Sequence, residues 1–162
     1  MSFRTFVFAL LLAICGAAPG YAQPLLTITR TDGTVQELSL DDLKAVGEVT
    51  MRTPLFAHPA DSGSPEVRTV KGPLLRDLLK RYNVTGRTAR ATALDAYQID
   101  IPVEDLTAYN VVLATEIDGK QLSIRDLGPL WVVYPLGEHP ELRTPVFESR
   151  SIWQVNALQM LE

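Results

Sequence analysis

Alternating apolar and polar positions recur along most of the chain and predict a series of short β-strands. The sequence closes with SIWQVNALQML, and this segment is expected to form the last strand. Pro135 ends the apolar strand before it, because proline cannot donate a ladder hydrogen bond. The other predicted strands are LLTITR and VQEL around the turn TDGT, then EVTMRT, RTARATAL, YQIDIP, NVVLATEI and PLWVVYP.

Helical spacing of apolar residues is clearest in PLLRDLLKRY, where leucines and Tyr82 repeat every three or four positions. Pro73 suits the first position of this helix. SLDDLKAV predicts a shorter helix, because Ser39 can cap it and Asp42 can complete an acidic variant of the capping box. VEDL predicts a single turn, and LGEHPELRTPVFE is expected to be irregular. Unevenly distributed strands and a few short helices predict an α+β fold around a mixed sheet.

A long loop is predicted from Pro54 to Pro65, which contains three prolines, a glycine and two serines. Long ordered loops often line sites, whereas a disordered excursion has the same composition. Both interpretations stay open at this point.

Residues 1–22 have the pattern of a secretory signal peptide. A short positive start precedes an apolar run that is too short to span a bilayer and a small-residue region that ends at Ala22. Cleavage after Ala22 leaves residues 23–162 as a single periplasmic domain. Acylation of Cys15 as a lipoprotein would need a small residue before it, where Ile14 stands.

The net charge and the cysteine content exclude several classes of binding partner and of reactive group. The net charge is −4, and removal of the signal takes Arg4 with it and makes the mature chain one unit more negative. An acidic domain without a basic tract predicts binding neither to nucleic acid nor to an anionic membrane. Cys15 is the only cysteine, so the mature chain has no disulfide, thiolate nucleophile or thiolate metal ligand.

Histidines and catalytic motifs give little support for an enzyme. His58 and His139 each lie beside a proline, and each is either a general base or an exposed loop residue. No HxH or HExxH spacing favours zinc, and GxSxG and GxGxxG are absent. Nothing in the residues alone requires catalysis.

Aromatic and arginine side chains crowd the last third of the chain, and an Asp–Tyr pair lies at an earlier strand junction. Aromatic planes and fixed arginine donors suit a flat polar heterocycle, although core packing also explains aromatics. If the last strand includes Trp153, this residue shares parity with Val155 and faces the core, and Arg150 points the other way. The residues concerned are Asp95, Tyr97, Trp131, Tyr134, Arg143, Arg150 and Trp153.

Six segments, taken in order, resemble the molybdopterin-binding domain of the sulfite oxidase fold from about Leu38 onward. They are LSLDDL, KGPLLRDLLKRYNV, TALDAYQIDIPVEDL, VVLATEIDGKQL, GPLWVVYP and SRSIWQV. The resemblance implies a Gly followed by an apolar helix at Gly72, an Asp-Gly-Tyr element at residues 95–97 and a Gly-Pro strand at residues 128–135. It also implies a cofactor-binding Arg-Ser-Val-Lys-Trp element, of which Arg150 and Ser151 match the first two residues.

The chain departs from this family at two functional positions. Trp153 stands where the family has a phosphate-binding lysine, and Ile152 replaces the valine. Family enzymes hold molybdenum through a cysteine between the first helix and the Gly-apolar helix, and residues 53–56 contain none. A molybdenum centre without its protein thiolate would have altered coordination and redox chemistry.

A second resemblance is to small exported bacterial domains of this fold that lack the cysteine and bind pterins. These domains regulate membrane-bound cyclic-di-GMP proteins by docking on their periplasmic portions, and the RSIWQ ending is similar to theirs. The resemblance implies a non-catalytic module that binds an unmetallated pterin, with hydrogen bonds from Arg150 and Ser151 and an aromatic plane from Trp153. Asp95 and Glu148 would accept hydrogen bonds from the amino-pyrimidine edge.

Two alternatives to this regulatory function stay open. One is a molybdopterin-dependent oxidoreductase, or a subunit of one. The other is a degenerate scaffold that binds only protein.

Overall fold

The computed structural model describes residues 24–55 and 65–162. The predicted signal peptide and most of the predicted loop therefore lie outside the described residues. The strands are Leu26–Thr29 (β1), Val35–Leu38 (β2), Glu48–Leu55 (β3), Glu66–Pro73 (β4), Thr88–Ala93 (β5), Gln98–Pro102 (β6), Val112–Ala114 (β7), Glu116–Ile117 (β8), Lys120–Gln121 (β9), Trp131–Val133 (β10) and Val155–Leu161 (β11). The helices are Leu40–Lys44 (α1), Leu75–Arg81 (α2), Val103–Ala108 (α3) and Pro145–Arg150 (α4), with 3₁₀ turns at Ile124–Asp126 and Pro140–Leu142.

A five-stranded mixed sheet has the strand order β2-β1-β11-β5-β6. The terminal strands β1 and β11 pair in parallel at its centre, and the other pairs are antiparallel. Val155 at the start of β11 lies opposite Ala93 at the end of β5. This register brings the end of β5 beside the segment that enters β11, and the candidate site lies there.

Two smaller sheets complete the fold, with the strand orders β3-β4-β8-β9 and β10-β7. Strand β4 passes so close to β7 that a Cβ atom on Gly72 would lie 2.1 Å from the backbone oxygen of Leu113. Only glycine fits there without displacing the backbone. Mixed sheets with a few short helices confirm the predicted α+β class.

Apolar side chains form two buried clusters. The larger lies between the five-stranded sheet and α1, α2 and α3, and it includes Tyr134, Ile152 and Ala93. The smaller joins β3, β4, β7 and β10 around the buried Trp131, with Trp153 packed at its margin. Burial of apolar surface on this scale is the main stabilising contribution to the fold.

The helix cap that depends only on neighbouring residues was predicted correctly, whereas the start of α2 was not. The capping box at α1 is present: Ser39 Oγ accepts a hydrogen bond from the Asp42 amide at 3.2 Å, and the Asp42 carboxylate accepts one from the Ser39 amide at 2.9 Å. The prediction that Pro73 is the first residue of α2 was wrong. Pro73 is the last residue of β4, where it pairs with Glu48, and α2 begins at Leu75.

Two predictions about strands needed correction. NVVLATEI is not one strand, because β7 and β8 belong to different sheets on either side of Thr115. Pro54 belongs to β3 and not to a loop, and proline is tolerated there because β3 is an edge strand.

None of the helices in the described ranges is long and apolar enough to cross a membrane.

The approach to the last strand also differs from the prediction. Residues expected to be irregular form α4, with Pro145 in its first turn. Strand β11 begins only at Val155, because Gln154 has a left-handed backbone with φ 54°. Trp153 and Arg150 therefore lie outside the strand, and the parity argument that assigned them to opposite faces was wrong.

Candidate functional site

A cavity of about 290 Å³ opens between the turn that joins β5 to β6 and the end of α4. It collects residues that are far apart in sequence, because β5 and β11 are neighbours in the sheet. A concave site of this size with a few polar groups is typical of small-ligand binding. Its lining residues are Ala93, Asp95, Tyr97, Glu148, Ser149, Ser151, Ile152 and Trp153.

Five of the seven residues predicted to bind a cofactor line this cavity. They supply two carboxylates, two hydroxyl groups and two aromatic rings. The cavity also includes Ser149 and Ile152, which sequence reasoning did not select. The five residues are Asp95, Tyr97, Glu148, Ser151 and Trp153.

The β5–β6 turn forms one wall of the cavity. Asp95 Oδ1 accepts a hydrogen bond from the Tyr97 amide at 3.0 Å, which is an Asx-type turn. Between them, Ala96 has a left-handed backbone with φ 67°, a conformation that favours glycine. The Tyr97 side chain is half exposed. The turn thus fixes the Asp95 carboxylate and leaves the tyrosine ring at the cavity margin.

The end of α4 and the residues after it form the opposite wall. Ser149 Oγ donates to the Val146 carbonyl at 2.8 Å, and Ser151 Oγ donates to the Phe147 carbonyl at 2.9 Å. These bonds use the hydroxyl protons, so both serines present lone pairs as acceptors. With the Glu148 carboxylate, this wall is complementary to ligand N–H donors.

Trp153 provides the aromatic surface of the cavity and is itself held by neighbouring groups. Its ring packs edge-on against Trp131, with 6.1 Å between ring centroids and an interplanar angle of 80°. Trp131 Nε1 donates to the Ser151 carbonyl at 3.1 Å. The next residue, Gln154, accepts from the Leu94 amide at 3.0 Å. The two walls are therefore connected through the backbone beside Trp153.

The charge of the cavity is negative. Among the described residues, those that line it include Asp95 and Glu148 but no lysine or arginine. Carboxylates accept hydrogen bonds and repel phosphate. The lining therefore suits a neutral or cationic heterocycle with N–H donors.

Both predicted arginines lie outside the lining of the cavity. Arg150 is the last residue of α4, and its Nη1 donates to Asp105 Oδ2 at 2.8 Å. The buried Tyr134 donates from its hydroxyl to the same oxygen at 2.8 Å, and burial, then the nearby Asp105 charge, raise the pKa of this phenol above its ordinary value. Arg143 Nε donates to the Leu136 carbonyl at 3.1 Å. Asp105 could be recognised from the sequence only as an acidic residue in the first turn of a helix.

The candidate base His139 is also outside the lining of the cavity. Its Nδ1 lies 2.9 Å from Glu141 Oε1, and its ring contacts Tyr109 edge-on at 5.0 Å. His58 lies outside the described residues. Within residues 24–55 and 65–162, no three His, Cys, Asp or Glu side chains are close enough to hold a metal ion.

Thr53 begins the interval of residues 53–56 in which the resemblance implied a cysteine, and residues 53–55 of it are described. Its side chain is buried, and its hydroxyl donates to the Tyr134 carbonyl at 3.2 Å and accepts from the Gly137 amide at 3.3 Å. The Thr53 hydroxyl therefore has both a donor and an acceptor partner within the protein, as buried polar groups usually do.

Comparison with known proteins identifies a matching family model and similar solved structures. The model of the oxidoreductase molybdopterin binding domain matches residues 23–137. The crystal structure of the sulfane dehydrogenase SoxCD from Paracoccus pantotrophus is similar, with a TM-score of 0.64 and 16% sequence identity. The likeness covers 85% of this chain but 38% of that chain, so this chain spans well under half of its structural relative. No curated protein matches the sequence.

Proposed function

The chain belongs to the oxidoreductase molybdopterin-binding domain family, and from this premise we propose that it binds a pterin-type cofactor in the cavity between the β5–β6 turn and α4. The observation that carries the proposal is the lining itself. It combines an aromatic plane at Trp153 with hydrogen-bond acceptors on both sides. A pterin has a flat ring and an amino-pyrimidine edge with N–H donors, so its two recognition features have counterparts here.

The assignment of residues follows the geometry. Asp95 and Glu148 accept hydrogen bonds from the amino-pyrimidine edge, and the serine oxygens accept from the remaining N–H groups. Trp153 stacks on the ring, and Tyr97 closes the open side. Arg143 and Arg150 are not assigned ligand contacts, because each is engaged elsewhere.

The residues present fit the pterin ring but not the rest of a molybdopterin cofactor. Molybdopterin has a phosphate, and the described residues that line the cavity offer two carboxylates and no cation to bind it. The sequence has no cysteine after Cys15, so no thiolate beyond that residue can coordinate a metal. We therefore propose an unphosphorylated and unmetallated pterin as the ligand.

A non-catalytic regulatory module is the function that this ligand favours. Four residues on, or hydrogen-bonded to, the segments that form the cavity have exposed apolar side chains, and exposed apolar surface is typical of protein contact sites. Leu94 lies between the lining residues Ala93 and Asp95 in the chain. The Ile124 carbonyl accepts a hydrogen bond from Gln154, the residue after Trp153, and the Val146 carbonyl accepts one from the lining residue Ser149. The four are Leu94, Tyr97, Ile124 and Val146, which are 42% to 62% exposed. As the sequence resemblance implies, we propose that the partner is the periplasmic portion of a membrane-bound cyclic-di-GMP protein, with residues 1–22 acting as the export signal.

A molybdopterin-dependent oxidoreductase, or a subunit of one, is the second candidate. The family itself favours it, because it is described as an oxidoreductase domain, and the similar structure is a sulfane dehydrogenase. In that case a second chain or a longer protein would supply the missing metal ligand.

Titration and metal analysis separate these functions. Dihydroneopterin added to the purified protein is expected to quench tryptophan fluorescence with saturation below about 1 mM. Dihydroneopterin triphosphate, which differs only in its phosphates, is expected to bind more weakly. Absence of binding by dihydroneopterin overturns the pterin proposal. Stoichiometric molybdenum in protein from a molybdenum-replete host supports the oxidoreductase instead.

A further inference from the structure

Helix α4 forms part of the cavity wall although it has few means to hold itself in place. It has six residues, and all of its side chains are at least partly exposed. Within the described residues, the side chain of its N-cap residue Thr144 accepts no hydrogen bond from the backbone amides of the first turn. A helix this short is unstable by itself, because nucleation is unfavourable and few hydrogen bonds follow it. Its position must come from contacts with other elements.

Those contacts are concentrated on one face of α4. Phe147 and Arg150 are three residues apart and so share a face. The Phe147 ring packs edge-on against Tyr134 at 5.3 Å and Tyr109 at 6.2 Å between centroids, and the Arg150 guanidinium lies 5.5 Å from the Phe147 centroid. The neighbouring residues Glu148 and Ser149 face the cavity instead.

Arg150 is the charged link between this helix and the rest of the domain. It binds Asp105 of α3, and the two side chains are 21% and 14% exposed. Asp105 Oδ2 also accepts the Tyr134 hydroxyl, so one carboxylate oxygen joins α3, α4 and the segment after β10. Removing one partner of a pair this buried leaves the other charge poorly compensated.

We infer that Arg150 is a positioning residue: through Asp105 it fixes α4, and with it the cavity wall of Glu148, Ser149 and Ser151, without touching the ligand. The part of this inference that concerns ligand affinity rests on the pterin function proposed above. The part that concerns α4 does not, and it can be tested on the protein without ligand.

Hydrogen–deuterium exchange of the ligand-free protein tests the positioning directly. Arg150→Met and Asp105→Asn are each expected to speed amide exchange in residues 147–153 about tenfold or more while exchange in the five-stranded sheet stays unchanged. Arg150→Lys, which can still reach Asp105, is expected to restore most of the protection. Arg90→Met is the control, because the Arg90 guanidinium pairs with Asp100 across β5 and β6 at 2.7 and 2.9 Å and not with a carboxylate of α3.

Affinity for dihydroneopterin provides the second measurement. Arg150→Met and Asp105→Asn are expected to weaken binding to a similar extent, about tenfold, because a displaced wall misaligns its acceptors. The double variant is expected to be no weaker than the poorer single variant, since both changes break one interaction. Thermal unfolding identifies variants that fail to fold, and if Arg150→Met does so, Asp105→Asn remains as the milder probe of the same ion pair.

The outcomes separate this inference from the proposed function. If wild-type protein binds no pterin but exchange in residues 147–153 rises in the variants, the positioning role stands and the pterin function fails. If Arg150→Met weakens binding at least tenfold while exchange and Asp105→Asn affinity stay unchanged, Arg150 contacts the ligand and the inference is overturned. Unchanged exchange and unchanged affinity in both variants also overturn it.

Discussion

Trp153 is the residue on which pterin affinity should depend most. Trp153→Leu keeps apolar packing against the smaller core cluster but removes the aromatic plane. Stacking of a base on an aromatic side chain contributes about 1–3 kcal/mol, so we expect affinity for dihydroneopterin to fall roughly 5- to 150-fold. Isothermal titration calorimetry measures this loss. Trp153→Phe should retain most of the affinity, and equal binding by the leucine variant would show that the ring does not stack there.

Asp95 should decide how the cavity responds to ligand charge. Asp95→Asn preserves the oxygen that accepts from the Tyr97 amide, so the turn is retained while one negative charge is removed. A hydrogen bond to a charged group contributes about 1.5–3 kcal/mol, so affinity for dihydroneopterin should fall by at least about tenfold. Affinity for its triphosphate should fall less, because weaker repulsion of the phosphates offsets part of the lost hydrogen bond.

Calorimetry with both ligands checks this prediction, with Glu37→Gln as the control. Glu37 is an exposed carboxylate on β2, at the opposite edge of the five-stranded sheet from β6. Its removal changes the net charge equally and should leave the ratio of the two affinities unchanged. A parallel change in both ligands for Asp95→Asn would contradict a direct role of its charge.

At the residue scale, sequence reasoning recognised types of chemistry better than side-chain directions. Asp95, Tyr97 and Trp153 were selected for groups that a heterocycle needs, and the fold brings them together. Arg150 was selected by the same logic, yet it binds Asp105, which lies 45 residues earlier in the chain. Nothing local to Arg150 indicates that contact, because it depends on how α3 packs beside α4.

At the element scale, helices and strands were predicted correctly where contacts between neighbouring residues determine them. The capping box of α1 is contained in four residues and was predicted correctly. The division of one apolar segment into β7 and β8 depends on which sheet each half joins, and no local pattern encodes that choice. The family match and the likeness to SoxCD confirm the sulfite oxidase-type fold that the ordered motifs implied.

The β5–β6 turn provides a stability prediction at the same scale. Ala96 has a left-handed backbone, so Ala96→Gly relieves strain and should raise the free energy of unfolding by about 1 kcal/mol. Ala45→Gly at the end of α1 is the matched control, because Ala45 is also exposed but has a right-handed helical backbone. It should lower stability by about 0.5–1 kcal/mol. Urea denaturation measures both changes, and destabilisation by Ala96→Gly would contradict the argument.

At the scale of the whole molecule, the cavity lies where the two core clusters meet. Ala93 and Ile152 of its lining belong to the larger cluster, and Trp153 packs on the smaller one. A ligand that contacts all three residues links the two clusters. Binding to the folded state alone stabilises it by mass action, by about 2.7 kcal/mol at a free concentration 100 times the Kd. A bound pterin would therefore raise the free energy of unfolding of the whole domain.

Acid stability is also a property of the whole molecule, because several exposed carboxyls share one direction of pKa shift. The Thr69 amide first, and then the Arg68 guanidinium, hold the pKa of Asp118 below its ordinary value, and Arg90 lowers the pKa of Asp100. A carboxyl with a lowered folded-state pKa stabilises the fold above its unfolded pKa of about 3.9, and this contribution is lost as pH falls through the folded value. The free energy of unfolding should therefore decrease steadily below about pH 4.

The substitution Asp118→Asn measures how much of the stability lost at low pH comes from the Asp118 carboxyl. The amide keeps an acceptor for the Thr69 N–H, which the carboxylate binds at 2.8 Å, but it cannot pair with Arg68 as a charge. The variant should be less stable than the wild type at about pH 7, and the difference should shrink as pH falls through the lowered folded-state pKa and the wild-type carboxyl becomes protonated. Urea denaturation at a series of pH values measures the convergence. A stability difference that persists unchanged at low pH would mean that Asp118 acts through turn geometry, since its charge would then contribute nothing.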